Sequence, residues 1–425
     1  MRATNLRDAT EQVSFATAIR RGLGRNRGLF MPDAIPPLPD VDAVLAMEPA
    51  ERATAVLDAL VGDEFAPGAL RGIVDRAFTW PTPLVPVTDR VSALELFHGP
   101  TLAFKDTGAR FMAEALAELH GGERVTILTA TSGDTGAAVA HAFAGAPGID
   151  CVVLYPKGRI SRLQEQLFCT LGGNVTTVAV EGTFDACQAL VKQAFADDDL
   201  RRRCGLNSAN SINLARLVAQ VTYYVEAVAQ LEPDRREQAV FCVPSGNFGD
   251  LTAGLMAKAM GVPFGRFIAA TNSNDTVPRY LASGSWEPRP TVPTLANAMD
   301  VSEPSNWPRI EALMRRRGWA PDTLGRASLD DAGIESAIRR AHALGYLVGP
   351  HGAIAFDALE RQLEDGETGV FLCTAHPAKF KETVDRVLGM DLPLPPALAE
   401  RADLPLLSLE IAPDFDAVRA ILDRA

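Results

Sequence analysis

At 425 residues, with 47% apolar and 22% charged side chains, the chain is long enough for two or three domains and needs no metal or disulfide staple. The net charge of −12 argues against a nucleic-acid partner, because the basic runs Arg201-Arg202-Arg203 and Arg315-Arg316-Arg317 are short and lack interleaved aromatics. No apolar leader opens the chain, no stretch is apolar enough to span a bilayer, and six scattered cysteines form no Cys-x-x-Cys pair, so a reducing cytoplasm is expected.

Residues 1–90 read as a mixed N-terminal extension. Within it the Pro-rich tract 32–39 is an extended connection, an Ala-rich helix is expected over 41–60, and Trp80-Pro81-Thr82-Pro83 marks a second connection. From about residue 91, short apolar runs alternate with Ala-rich helical stretches. The run 125–128 precedes a helix at 137–143, 151–154 precedes 163–171, 175–180 precedes 184–195, and 239–243 precedes 251–260. This alternation predicts α/β units with largely parallel sheets. Residues 272–309, rich in Pro, Asn, Ser and Thr, break the pattern and read as a long irregular loop. Helices resume near Glu311, a late strand is expected over 369–373, and the C-terminal stretch reads as a peripheral cap.

Two pentads echo each other: Ser132-Gly133-Asp134-Thr135-Gly136 and Ser245-Gly246-Asn247-Phe248-Gly249. Each follows an apolar run and opens an Ala-rich helix, where free N–H groups make an anion site. Two ordinary helix caps would look the same singly; the repetition favours a pair of anion sites. No Walker loop, dinucleotide fingerprint, His-Glu-x-x-His pair or Gly-x-Ser-x-Gly elbow is present. His98 and His351 flank Gly-Pro turns, where a structural role competes evenly with a pocket-lining one. Lys105 has small and apolar neighbours, and burial would lower its amine toward the neutral form that imine chemistry needs. Spacing alone still favours a surface lysine at a helix start. The polar cluster 207–213, followed by Arg216, is equally compatible with helix capping and with a substrate cradle.

Larger motifs add to this. HGPTLAFKD, LTATSGDTGAAVAHAF, LNSANSIN, VPSGNFGDLTAG and TAHPAKFKE, with EQVSFATAIRRGLG and GLFMP near the start, resemble the threonine synthases, specifically their longer bacterial and fungal branch. The resemblance runs from about residue 5 to about residue 390, with the motifs in the family's order. It implies the α/β architecture of fold-type II pyridoxal-phosphate enzymes, similar to the tryptophan synthase β chain. Two α/β domains are then expected beside the extension: a smaller, mobile one over 91–215 and a larger one over 216–425 with the C-terminal cap.

By that resemblance Lys105 holds the cofactor as a Schiff base, and Ser245, Gly246, Asn247, Phe248 and Gly249 wrap its phosphate. Thr374 meets the pyridine nitrogen, which a neutral hydroxyl leaves largely unprotonated. Asp134 stands where shorter relatives carry Asn, which leaves an Asn-like contact to the ring hydroxyl open. Thr131, Ser132 and Thr135 are expected to receive the substrate carboxylate. Lys157, Arg159, Ser161, Ser208, Asn210, Asn213 and Arg216 are the candidates for the substrate side, with Asn210, Asn213 and Arg216 foremost for its phosphate.

The implied reaction turns O-phosphohomoserine and water into L-threonine and phosphate, carried out by a monomer or weak dimer with no nucleic-acid or membrane partner. Lys105 then serves as the mobile base at Cα and Cβ. Alternatives are a dehydratase or phospho-lyase of the same fold, and a non-catalytic anion-binding protein.

Overall fold

The runs Val125–Ala130, Ile149–Pro156 and Val175–Val180 are buried along almost their whole length, as strands covered on both faces are. In the computed structural model, which describes residues 1–119, 121–122 and 124–424, they lie side by side in a parallel five-stranded sheet. Leu206–Asn207 and Leu409–Ile411 form its two edges. A six-stranded sheet runs in the order 324–328, 266–271, 239–244, 368–373, 91–95, 84–86. All its neighbours are parallel except the last pair. This is the α/β architecture expected from the strand–helix alternation.

The sheets do not divide the chain at residues 90 and 215. Val91–Glu95 pairs with Thr368–Cys373 in the six-stranded sheet, so the chain starts there, crosses to build the other sheet, and returns. The C-terminal stretch is likewise more than a cap. Leu409–Ile411 pairs with Val175–Val180, and Val418 and Leu422 of the last helix are buried beside Leu190, Val191 and Leu200. Alternation in sequence identifies strands but carries no record of which sheet each joins.

The helix Leu214–Ala229 is apolar on nearly every side and correspondingly buried. It packs against the helices Lys105–Leu119, Gly249–Ala259 and Pro49–Val61. Gly108 permits the closest approach: a Cβ there would stand 2.8 Å from Arg216 Nε and 3.0 Å from the Arg216 carbonyl.

The N-terminal extension forms a three-stranded antiparallel sheet with Arg2–Asn5 at its centre. The helix expected over 41–60 is two helices, Val41–Ala46 and Pro49–Val61. Pro49 lacks an N–H to continue the first but suits the first turn of the second. The stretch 272–309 also holds more order than expected. It contains the helix Thr276–Ser283, which ends at Gly284 with φ +75°, and the helix Trp307–Arg317 begins within it. Residues 285–296, without helix or strand, are tied down by Asn272, Asn274 and Asp300, which bond to Thr294 and to the Val292 backbone.

No helix among the described residues is long and apolar enough to cross a membrane, and all six cysteines are buried free thiols.

Candidate active site

Lys105 is the first residue of its helix, and the loop before it is stitched to the end of the strand Thr368–Cys373. The Leu96 N–H donates to the Cys373 carbonyl at 3.0 Å, the Phe104 N–H to the Thr374 carbonyl at 2.9 Å, and the His376 N–H to the Leu102 carbonyl at 3.0 Å. Ala103 and Ala375 form a β-bridge, and Leu102 takes φ +57° to make the turn. These bonds hold Lys105 and Thr374 together across the whole length of the chain between them. The Thr374 hydroxyl has no partner among the described residues, although the residue is 95% enclosed, with 5% exposure.

Lys105 is itself partly accessible. Burial lowers its ammonium from 10.5 to about 8; Asp134 pulls the other way, and Lys379 and Arg216 add to the lowering. Asp134 opens the helix Asp134–Phe143 and pairs with Lys379, Nζ to Oδ1 2.7 Å, deep inside the protein. Burial opposes its ionisation, but Lys379 and Lys105 outweigh that and hold the carboxyl well below the usual carboxylate range. Lys379 also donates to the Thr101 carbonyl at 2.8 Å, while Thr101 closes on the buried carboxylate of Asp106.

His351, near the start of the helix Pro350–Gln362, is 4% exposed, and neither ring nitrogen has a hydrogen-bond partner. Burial pushes its imidazole down to about 4, against the pull of Asp134, so it is neutral at pH 7.

The pentad 245–249 lies between the strand Ala239–Pro244 and the helix Gly249–Ala259. Ser245 anchors it: its N–H donates to the Ala270 carbonyl at 2.8 Å and its hydroxyl to the Val243 carbonyl at 3.1 Å. Phe248 turns the chain with φ +60° and seats its ring edge-on against Trp307. The Asn247 side chain accepts from Ser305, and its carbonyl accepts the Asn306 N–H at 3.1 Å. Gly246 passes so close to Met299 that a Cβ would stand 2.8 Å from the Met299 Cα. None of the N–H groups of residues 246–249 donates to an acceptor among the described residues. Four free donors at a helix start suit a phosphate dianion. Together with Lys105 and the free Thr374 hydroxyl, they supply the three contacts a pyridoxal-phosphate molecule needs.

The first pentad is organised differently. Thr131 Oγ1 accepts the N–H groups of Gly133 and Gly136 at 2.9 and 2.8 Å, so its hydroxyl shapes the turn. The N–H groups of Ser132, Asp134 and Thr135 have no acceptor among the described residues, and the Ser132 side chain is exposed.

Among the substrate-side candidates, Arg216 is fully enclosed. Nη1 donates to the Ala209 carbonyl at 2.6 Å, and Nε is buried with no partner among the described residues. Burial lowers it from 12.5 to about 10, which leaves it charged at neutral pH. Asn210 accepts the Thr129 hydroxyl, and Ser208 accepts the Asn210 N–H. Asn213 caps the helix Leu214–Ala229, and its amide donates to the Ile19 and Ser208 carbonyls at 2.9 and 3.1 Å. Lys157 is exposed and bound to Glu410 at 2.7 Å, Arg159 is exposed, and Ser161 caps the helix Arg162–Cys169.

Sequence reasoning passed over Lys379 and Arg309. Arg309 is fully buried and donates to the Phe30 carbonyl, to the Ile212 carbonyl and to Asn306 Oδ1. It therefore ties the extension, the polar cluster and the glycine loop to one another. Asp250, next to the glycine loop, is pushed by burial up to about 7, against the opposing pull of the Leu251 N–H, which donates to its carboxyl at 2.8 Å.

Residues 76–375 match the family described as pyridoxal-phosphate dependent enzyme, and the described site has the donors for that group. The protein is thus a fold-type II pyridoxal-phosphate enzyme, with pyridoxal phosphate as its cofactor. Residues 4–78 match the threonine synthase N terminus and residues 352–422 the threonine synthase C-terminal family. The sequence is 58% identical to the threonine synthase of Haemophilus influenzae, over 99% of both chains. The crystal structure of threonine synthase from Escherichia coli superposes with a TM-score of 0.95 at 57% identity, covering 100% of each chain. That of the PLP-bound threonine synthase from Brucella melitensis gives 0.94 at 32% identity, covering 100% of this chain and 99% of that one. The chain belongs to the threonine synthase family.

Proposed function

We propose that the protein converts O-phosphohomoserine and water into L-threonine and phosphate, with Lys105 as the catalytic base. The observation that carries this reading is the position of Lys105: a lowered amine, stitched beside Thr374, in a site that also holds free N–H groups at two helix starts. When bound, pyridoxal phosphate supplies the electron sink that makes protons at substrate Cα and Cβ removable. Lys105 takes and returns those protons, which requires an amine neutral near physiological pH. The free N–H groups of residues 246–249 hold the cofactor phosphate, and Thr374 presents a neutral hydroxyl to the ring nitrogen. The N–H groups around Ser132 and Thr135 receive the substrate carboxylate.

The leaving phosphate needs a second cation. Arg216 fits best, because its guanidinium is charged, buried and incompletely bonded beside Asn210 and Ser208. Lys157 is neutralised by Glu410, Asn213 and Ser161 are occupied in capping, and Arg159 is exposed; these four are the weaker candidates. The mobile part expected over 91–215 is taken to be the body built on the five-stranded sheet, which excludes Val91–Glu95 and includes Leu409–Ile411, and to close over the substrate so that water is excluded until phosphate has left. The six free thiols support a reducing, cytoplasmic setting, and the acidic charge supports a small-molecule rather than a nucleic-acid partner.

The test is threonine formation from O-phosphohomoserine. Wild type should release phosphate and threonine in equal amounts, and Lys105→Ala should release neither. Phosphate without threonine would instead identify an elimination enzyme of the same fold.

A further inference from the structure

Lys379 has a donor to spare. Its side chain has 0% exposure, and an ammonium carries three hydrogens. One goes to Asp134 Oδ1 at 2.7 Å and one to the Thr101 carbonyl at 2.8 Å; the third meets no acceptor among the described residues. Asp134 is similarly incomplete: Lys379 and Gln164 Nε2, the latter at 3.1 Å, both meet Oδ1, and Oδ2 accepts nothing among the described residues. Burying an ion pair is costly unless the remaining hydrogens and lone pairs are also satisfied. An enclosed ammonium with an unused N–H therefore calls for an anionic oxygen.

The position of the pair indicates which oxygen. Asp134 and Lys379 are the charged groups that act most strongly on Lys105, and the same two act on His351. Neither ring nitrogen of His351 has a hydrogen-bond partner, so the spare N–H of Lys379 is not spent on that ring. In pyridoxal phosphate the ring hydroxyl is ortho to the ring carbon that bears the aldehyde, the group the lysine amine takes, so its oxygen lies on the lysine's own side of the ring.

We propose that Lys379 donates its free N–H to the ring-hydroxyl oxygen of the cofactor, with Asp134 holding the ammonium in place. This rests on the reading of Lys105 as the cofactor lysine. Lys379 is on this account a cofactor-positioning residue, and the Asp134–Lys379 pair does the work that a neutral amide would do alone. An Asp at position 134 is then no defect, because its own inability to donate is made good by the ammonium it fixes.

The experiment titrates apo-protein with pyridoxal phosphate and follows the visible band of the bound cofactor. Four proteins are compared: wild type, Lys379→Met, Asp134→Asn, and the double variant. Melting temperatures of the apo-proteins and KM for O-phosphohomoserine are measured alongside. A charge-assisted hydrogen bond corresponds to about ten- to a hundredfold in affinity, so Lys379→Met should weaken cofactor binding by that factor. The double variant should recover to within about threefold of wild type, because the new amide can donate and no buried carboxylate is left unpaired. If Lys379→Met does not fold, the double variant alone decides.

Unchanged cofactor affinity in Lys379→Met would overturn the proposal. So would a double variant that melts like wild type yet binds cofactor poorly, or an effect confined to KM, which would assign Lys379 to the substrate carboxylate. A covalent cofactor adduct surviving in Lys105→Ala would instead remove the underlying reading.

Discussion

Capture of pyridoxal phosphate by the apo-protein should accelerate with pH in a way set by the burial of Lys105. Only the neutral amine attacks an aldehyde. Burial, partly offset by Asp134 and reinforced by Lys379 and Arg216, brings the Lys105 ammonium from 10.5 to about 8. At pH 7 about one molecule in eleven then presents a neutral amine, against roughly one in three thousand for an unperturbed lysine. Stopped-flow absorbance of reconstitution should rise about tenfold per pH unit up to near 8 and then level off. Asp134→Asn removes the strongest charge favouring the ammonium, so its plateau should begin at lower pH. A rate that climbs without a break to pH 10 would refute the reasoning, since it would describe an exposed lysine.

Gly108→Ala should destabilise although Ala favours helices, because its Cβ meets the backbone of the helix Leu214–Ala229. Overpacking of about 1–3 kcal/mol against about 1 kcal/mol of helix propensity predicts a lowered urea midpoint, with weakened cofactor binding from a displaced Lys105. Arg309→Met leaves the Phe30 and Ile212 carbonyls and Asn306 without their donor, and roughly 3–5 kcal/mol should be lost in urea unfolding. Asp250 has a folded pKa of about 7, above its ordinary 3.8, so the folded state binds the extra proton between those values. Its contribution is therefore complete below about pH 4 and lost as pH rises through 7, on the order of a few kcal/mol. Asp250→Asn should remove that decline, so the stability gap between variant and wild type should open with rising pH over this window. A constant gap would mean that Asp250 does not titrate there.

Much of the site is readable from the sequence because its parts are local. A strand, a glycine-containing pentad and a helix start are adjacent in the chain, and free N–H groups follow from that order whatever the rest of the fold does. Lys105 is local only in its small neighbours; the burial that lowers its amine, the Lys379 and Arg216 charges that add to that, and the Asp134 charge that opposes it are all brought in from afar. Lys379 stands between Ala378 and Phe380 but is followed at once by Lys381 and Glu382, so nothing local separates it from a surface lysine; its burial is a product of the fold. Arg309 gave no signal either, because its partners Phe30, Ile212 and Asn306 are joined only by folding. The same limit explains Val91–Glu95, whose apolar pattern marks a strand but whose parallel pairing with Thr368–Cys373 is a property of the finished sheet. At Pro49 the sequence held the answer, since a proline that cannot continue one helix readily starts the next.

The central claim is that Lys105 holds the cofactor. Borohydride reduction of the holoenzyme, proteolysis and mass mapping of the pyridoxyl-bearing peptide test it most directly. The label should fall on Lys105, in the peptide carrying Phe104 and Asp106. A label on Lys379 or on any other lysine, or none at all, would contradict it.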